Sequence, residues 1–388
     1  MNSFEIAMLV ARYPPFRAGT ELACQRLSQL LVHRRHHVTV LTENVPRDFP
    51  LERQEDGIRV LRFRSYGRPP FSSAIYCLKT FWFLWRNSSY DLFHAHMLAG
   101  PAMLALAVGR LQKKPVLVKI AGAGKLGDVN TSRRSLRGRI KLRLFRRWAE
   151  YVVAVSPAVA QEMREIGIGA DKIHLIPNGI DTEAYYPATD ADRQASRRRL
   201  GLLDPELVAL YVGRWTEAKG LEVLLAAWEQ GLKRPDFAWR LMMVIGGDFH
   251  PSEAASAQIA RLGSRLKIYH NAPDIIPYYH ASDLAILLSE GEGLSNFLLE
   301  SMACGVPTLV SEAAAVDGIA GADILPNSSD PAALCLAELL RVQRQPQELR
   351  DRGRQVRQGI EAAFSLEAVA RSYEKLYALM TGRAAGSA

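Results

Sequence analysis

Ser289–Pro307 reads SEGEGLSNFLLESMACGVP and follows Leu284–Leu288, an apolar run of strand length. An apolar run, a Gly-containing turn and a helical stretch together make the strand–turn–helix unit of a parallel sheet covered by helices. Gly293 lets a ligand approach the backbone closely, and Ser295 stands where an N-cap is expected. The first turn of the helix then offers N–H groups without helical partners, which suit a diphosphate. Glu292 and Glu300 flank the turn with seven residues between them. Glu300, about one turn into the helix, is placed for a ribose diol, and Glu292, before the turn, for a sugar. The block predicts a site for a sugar nucleotide.

Working outward, the same alternation of short apolar runs and helical periods fills almost the whole chain. In the first half the expected strands are Phe4–Ala11, His37–Leu41, Ile58–Phe63, Leu92–Ala95, Pro115–Ala121, Tyr151–Val155 and Ile173–Ile176. Ser156-Pro157 marks one helix start, a Ser N-cap followed by Pro at the first helical position. The second half repeats the scheme with Leu207–Val212, Arg240–Ile245 and Leu284–Leu288, joined to the first by the polar, Arg-rich stretch Thr182–Pro205. At 388 residues two domains are the default. The expected division is an α/β domain at 1–182, a second α/β domain at 183–365, and a last helix and tail at 366–388. Each domain reads as a doubly wound sheet, in which ligands sit beyond the carboxyl ends of the strands.

A second cluster supports the first. Val212-Gly213-Arg214-Trp215-Thr216-Glu217-Ala218-Lys219-Gly220 lies between a strand end and a helix start. Free N–H groups and two cations converge there on one point, where a diphosphate would be held. The planar fork of Arg214 and the point charge of Lys219 neutralise the charge that develops on a departing nucleoside diphosphate.

The Glu292–Pro307 block resembles the E-x7-E segment of family 4 retaining glycosyltransferases, and Gly213–Gly220 resembles their GRxxxxKG donor-phosphate loop. Tyr13-Pro14-Pro15 with Gly19-Thr20-Glu21 is similar to the family's YPPxxGGxE loop, with Ala18 in place of its first glycine. Ile176-Pro177-Asn178-Gly179-Ile180-Asp181 is similar to IPNGVD, and Ile276–Asp283 to the PxYYxxAD approach. The matches extend over nearly all of residues 4–380. They imply the GT-B fold, two Rossmann-like domains facing across a cleft, the acceptor bound by residues 1–182 and the nucleotide sugar by 183–365, with the last helix crossing back to the first. They also imply the roles: catalytic Arg214, Lys219 and Glu292; donor contacts from Gly19, Gly213, Gly293, Leu294, Ser295, Asn296 and Glu300; no metal and no cofactor.

One departure stands out. Many relatives carry a Thr-x-His-Gly loop near the transferred sugar, where this chain has Lys119-Ile120-Ala121-Gly122. No histidine carries over, so the acceptor side is expected to use Lys119, Gly122 and His96, the second member of an HxH pair with His94.

Two other motifs are set aside. Gly122, Gly124 and Gly127 spell G-x-G-x-x-G, but the basic run that follows leaves no acidic residue at a second strand end to hold a dinucleotide ribose. Asp190-Ala191-Asp192 spells a DxD metal motif but falls in the linker with no strand before it. The four cysteines, Cys24, Cys77, Cys304 and Cys335, show neither zinc spacing nor a disulfide frame.

Charge is uneven. Residues 1–185 hold 28 Lys+Arg against 15 Asp+Glu, a balance of +13, and the remainder holds 21 against 25, or −4. The densest run, Arg133–Arg147, has eight cations and no acid, with Leu136, Ile140, Leu144 and Trp148 at helical spacing. It reads as a basic amphipathic helix that meets anionic lipid or a phosphorylated acceptor. The aromatic segment Phe81–Trp85 adds apolar surface. No apolar run reaches the ~20 residues of a membrane span, and Met1–Val10 reads as a first strand and not a leader, so the expected location is cytoplasmic, peripheral on the inner membrane face. Nucleic acid is not an expected partner, because the basic run carries no recognition module. The partners expected are a UDP- or GDP-linked sugar and a lipid-linked or saccharide acceptor. A nucleotide-sugar 2-epimerase of the same fold is the alternative, and a catalytically silent subunit is disfavoured by the retained Arg214, Lys219, Glu292 and Glu300.

Overall fold

The computed structural model describes residues 3–15, 19–45, 49–66, 71–124, 127–202, 206–291, 294–316, 319 and 321–383, without the side chains of 72 and 73. Two compact units emerge, Met1–Gly179 with Leu366–Ala388, and Ile180–Ser365.

The first unit runs β1 (Glu5–Leu9), α1 (Gly19–His33), β2 (His37–Glu43), β3 (Glu52–Glu55), β4 (Ile58–Phe63), α2 (Phe71–Arg86), β5 (Leu92–His96) and α3 (Gly100–Gln112). It continues with β6 (Val116–Ile120), α4 (Asp128–Arg133), α5 (Leu136–Trp148), β7 (Tyr151–Ala154), α6 (Pro157–Glu165) and β8 (Ile173–Leu175). Its sheet has the order β3-β4-β2-β1-β5-β6-β7-β8. Only the edge pair β3–β4 is antiparallel. The central strands are buried along their length, which is why they read as continuous apolar runs and not as alternation.

The second unit runs α7 (Asp190–Arg199), β9 (Leu207–Gly213), α8 (Leu221–Leu232), β10 (Trp239–Ile245), α9 (Glu253–Leu262), β11 (Leu266–His270) and α10 (Ile276–Ala281). Next come β12 (Leu284–Leu287), α11 (Asn296–Ala303), β13 (Thr308–Ser311), β14 (Asp323–Leu325), α12 (Pro331–Val342) and α13 (Pro346–Ala363). All its strand pairs are parallel, in the order β11-β10-β9-β12-β13-β14. This is the doubly wound order that reverses between the first and fourth strands, and the reversal opens a crevice at their carboxyl ends.

Helix α14 (Leu366–Thr381) packs on the first unit. Arg34 grips Glu374 at 2.7 and 2.8 Å and Glu367 at 2.8 Å, and His36 meets Glu374 at 3.0 Å. Beneath them Tyr373 and Tyr377 are fully buried, and Tyr377 is hydrogen-bonded to His94 Nδ1 at 2.8 Å.

The structure revises several expectations. Strands β3, β11, β13 and β14 escape the sequence reading: β3, β11 and β14 lie at sheet edges or are partly to largely exposed and lack a continuous buried apolar run, and β13 spans only Thr308–Ser311. The basic run is not one helix: α4 stops at Arg133 and Ser135 caps α5 by accepting from Gly138 N. Of its apolar stripe Leu136 is 73% and Ile140 49% exposed and Leu144 and Trp148 are partly buried, while Phe145, off the stripe, is the buried anchor. Lys141 turns inward and donates to the Leu98 carbonyl at 2.7 Å. Ser156 does cap α6, accepting from Val159 N with Pro157 in the first turn. Among the described residues no helix is long and apolar enough to cross a membrane.

Two buried charge systems organise the second unit. Arg357 donates to the carbonyls of Thr182 (3.0 Å), Tyr185 (2.7 Å) and Ala303 (2.5 Å), tying α13 to the start of the unit and to the end of α11. Asp283 accepts from Val208 N at 2.9 Å and pairs with Arg193 at 2.6 Å. Arg357→Ala strands three carbonyls around a partly buried site and should lower stability by roughly 2–4 kcal/mol in urea titration. A change below about 0.5 kcal/mol, the scale of ordinary surface substitutions, contradicts this role.

A pH dependence follows from the first unit. Burial, reinforced by the neighbouring Lys119, holds the imidazoles of His94 and His96 well below the ordinary histidine range. Their folded pKa values are depressed, so the neutral forms stabilise the fold above about pH 6.5, and that stability is lost as pH falls through the unfolded value. The melting temperature should therefore drop between about pH 7 and about pH 5, and His94→Gln/His96→Gln should flatten the drop. An equal drop in the double variant assigns the acid sensitivity elsewhere.

Candidate active site

The carboxyl ends of β9 and β12 lie side by side, with Leu284 in register with Ala209 and Ala285 with Leu210. Two loops grow from this edge. The first leaves β9 at Gly213, passes Arg214, turns once through Glu217–Lys219 and enters α8 at Gly220. Tyr211 Oη donates to the Arg214 carbonyl at 2.9 Å and steadies the loop's exit. Gly220 has φ +67°, and a Cβ there would stand 2.0 Å from the Leu288 carbonyl oxygen. Only glycine meets both demands.

The second loop leaves β12 and is fastened to the first. Ser289 Oγ and Glu290 N both donate to the Ala218 carbonyl, at 2.8 and 2.9 Å. Ser311 Oγ, at the end of β13, donates to the Ser289 carbonyl at 2.6 Å. The structure thus joins the two sequence motifs, which stand about seventy residues apart. Arg214 is exposed and Lys219 partly buried at this edge. Ser295 occupies the N-cap of α11, yet its side chain makes no capping hydrogen bond. Leu294 and Asn296 flank it, both partly exposed. Glu292 and Gly293 lie outside the described residues.

Glu300 is 9% exposed, and its Oε2 accepts from Tyr279 Oη at 2.8 Å. Tyr279 is itself fully buried, so the carboxylate is held from below in a fixed direction. Sequence reasoning missed this role, although Tyr279 sits in the Pro-x-Tyr-Tyr stretch quoted above. A second feature also went unread. Trp215 stands edge-on to Phe249 at 5.0 Å, and Phe249 meets His270 at 5.0 Å. These three rings follow β9, β10 and β11 and form an aromatic row along the same edge.

In the first unit the expected acceptor residues are not on open surface. His96, the last residue of β5, is 2% exposed, stacks on His94 at 4.5 Å, and has no hydrogen-bond partner at either ring nitrogen among the described residues. Lys119 is its register neighbour on β6, 3% exposed, with Nζ 5.7 Å from the centre of the Tyr373 ring. Burial lowers the Lys119 pKa to about 8. Both side chains point into the interior under α14, because alternation along a strand sets His94 and His96 on one face. Gly19 is the first residue of α1. Gly122 belongs to a loop closed on itself, in which Gly124 N donates to Glu162 at 2.7 Å and a Cβ at Gly127 would come within 2.8 Å of the Ala123 backbone. Packing explains Gly127, and a left-handed backbone with φ +72° explains Gly124.

Asp192 also has a structural task. It completes a capping box with Thr189 at the start of α7. Among the described residues no group of three or more His, Cys, Asp or Glu side chains is placed to hold a metal ion.

Comparison with known proteins agrees with this geometry. The model for Glycosyltransferase Family 4 matches residues 17–184, and that for Glycosyl transferases group 1 matches residues 206–341. An uncharacterised glycosyltransferase of Methanocaldococcus jannaschii is 26% identical over 321 residues, covering 79% of this chain and 80% of that protein. A D-inositol 3-phosphate glycosyltransferase of Catenulispora acidiphila is 30% identical over 201 residues, and this chain spans only 47% of its length and 47% of its own. The structure of Anabaena HepE in complex with UDP and glucose superposes with a TM-score of 0.78 at 18% identity, over 97% of this chain and 100% of that one. These matches lend the 2-epimerase alternative no support. Two α/β units, the joined phosphate and glutamate loops, and two family models covering most of the sequence make this chain a glycosyltransferase of family 4, the group 1 glycosyltransferases, with the GT-B fold.

Proposed function

We propose that the chain transfers a sugar from a nucleoside-diphosphate sugar, UDP- or GDP-linked, to an acceptor hydroxyl with retention of anomeric configuration. The observation that carries this reading is the double hydrogen bond to the Ala218 carbonyl, which brings the Arg214–Lys219 loop against the turn before α11. HepE, of the same fold, was solved with UDP and glucose, which supports a donor of this class.

In this scheme the diphosphate lies at the β9–β12 crevice, against Arg214, Lys219 and the N-termini of α8 and α11. Gly213 leaves room for it at the strand end. Glu300, oriented by Tyr279, holds the ribose diol. Glu292 and the backbone of Gly293–Asn296 orient the sugar. The acceptor oxygen bonds to the anomeric carbon on the face from which the diphosphate leaves, the bond from carbon to phosphate oxygen breaks, and the acceptor proton passes to that departing oxygen. Two cations and two helix termini supply the charge stabilisation that a metal provides elsewhere. The acceptor is a lipid-linked saccharide in bacterial surface-glycan assembly, met at the cytoplasmic face of an anionic membrane. The +13 balance of residues 1–185 supports that placement.

Lys219→Ala and Glu300→Ala should each weaken donor binding or turnover by about tenfold to a hundredfold, the loss of a charge-assisted contact worth roughly 1.5–3 kcal/mol. Tyr279→Phe, which frees the Glu300 carboxylate, should give a smaller loss in the same direction. A panel of UDP- and GDP-sugars in thermal-shift assays identifies the donor first. Wild-type turnover in either alanine variant removes that residue from the site.

Activity with the identified donor should persist in excess EDTA. Complete loss that Mg²⁺ or Mn²⁺ restores contradicts the metal-independent scheme.

A further inference from the structure

Helix α2 carries an apolar stripe on its solvent side. Phe71, Leu78, Trp82 and Trp85 are 71, 60, 51 and 45% exposed. Their spacings of seven, four and three residues keep all four on one face of an α-helix. Phe81 stacks on Trp85 at 6.0 Å and stands edge-on to Trp82 at 6.3 Å, which makes the rings one continuous patch. Monomeric soluble proteins rarely leave such a patch uncovered.

Its surroundings are basic. Arg86 lies 5.4 Å from the centre of the Trp82 ring. Gln112 donates to the Leu84 and Trp85 carbonyls at 3.0 and 3.2 Å, joining the end of α3 to the end of α2. Leu111, 62% exposed, and the Lys113-Lys114 pair therefore adjoin the stripe. The same lysines line a groove of about 610 Å³ together with Arg110, Trp148, Tyr151 and one acid, Glu150. From Gly57 to Gly127 the chain contains eleven Lys and Arg residues and one acid, Asp91, which is paired with Arg383.

We propose that this face is the membrane-docking surface, with α2 lying in the plane of a bilayer that contains anionic phospholipid. Tryptophan and leucine enter the interfacial region while Arg86, Lys113 and Lys114 meet the lipid phosphates. The charge argues for lipid over a second copy of the chain, since self-association would press like-charged surfaces together. The topology fits as well. In a parallel sheet α2 descends from the carboxyl edge after β4 to the amino edge before β5. Phe71 therefore lies at the same edge as the loops after β1, β5 and β6, where an acceptor held in the membrane would arrive. The inference rests on the reading of a membrane-presented acceptor and shifts the contact from α5, where Lys141 is turned inward, to α2.

The test is co-sedimentation of the full chain with phosphatidylcholine vesicles, with and without phosphatidylglycerol, at low and high salt. Wild type should bind the phosphatidylglycerol vesicles and release with salt. Leu78→Ser/Trp82→Ser/Trp85→Ser, all surface changes, should keep the wild-type melting temperature and lose about tenfold or more in partition, whereas Arg137→Glu/Arg139→Glu should lose less. Wild-type binding by the triple variant overturns the role of α2 and leaves the membrane reading standing. Failure of wild type to bind overturns both. Concentration-dependent dimers abolished by the triple variant, with vesicles ignored, make the face an interface between copies.

Discussion

One backbone carbonyl joins the two loops at the carboxyl edge of β9 and β12. The Ala218 oxygen uses two acceptor directions, one for the Ser289 hydroxyl and one for the Glu290 amide. Residues that belong to different strand–helix units become one surface. The contact exists because β9 and β12 are neighbours in the sheet, and it is tight because Gly220 leaves no atom between the loop and the Leu288 carbonyl. A wider loop would separate Arg214 and Lys219 from the turn before α11.

The polar interior of the first unit obeys a different constraint. His94, His96, Lys119, Tyr373 and Tyr377 form a stacked, nearly solvent-free cluster under α14. Burial penalises the charged forms there, which keeps both imidazoles neutral and lowers the lysine to about 8. Polar groups so deeply placed shape the wall of the unit.

Identical motif letters therefore perform unlike work. Asp283 belongs to a stretch that resembles a family signature, and here it anchors Arg193 and the start of β9. Asp192 matches a metal motif and caps a helix. Lys141 lies in a run of arginines, yet it serves a carbonyl inside the unit. In each case the nearest unsatisfied hydrogen-bonding group claims the side chain, because leaving a buried donor or acceptor unpaired costs more than the gain from an exposed charge.

The sequence alone determined what is local. Continuous apolar runs marked the buried parallel strands, Ser156-Pro157 marked a helix start, and the glycines and cations of the two loops marked the family, since such positions answer to backbone geometry within a few residues. Short strands such as β14, and β3 at an edge, gave too little period to read. Tertiary structure alone decided which side of each element faces inward: Phe145 and not Leu136 anchors α5, and His96 turns toward α14. It also decided which distant residues meet, as with Tyr279 under Glu300, and which stay uncovered, as with Trp82 and Trp85. Those outcomes depend on what the neighbouring element offers for packing, and a helical or strand period carries no record of its neighbour.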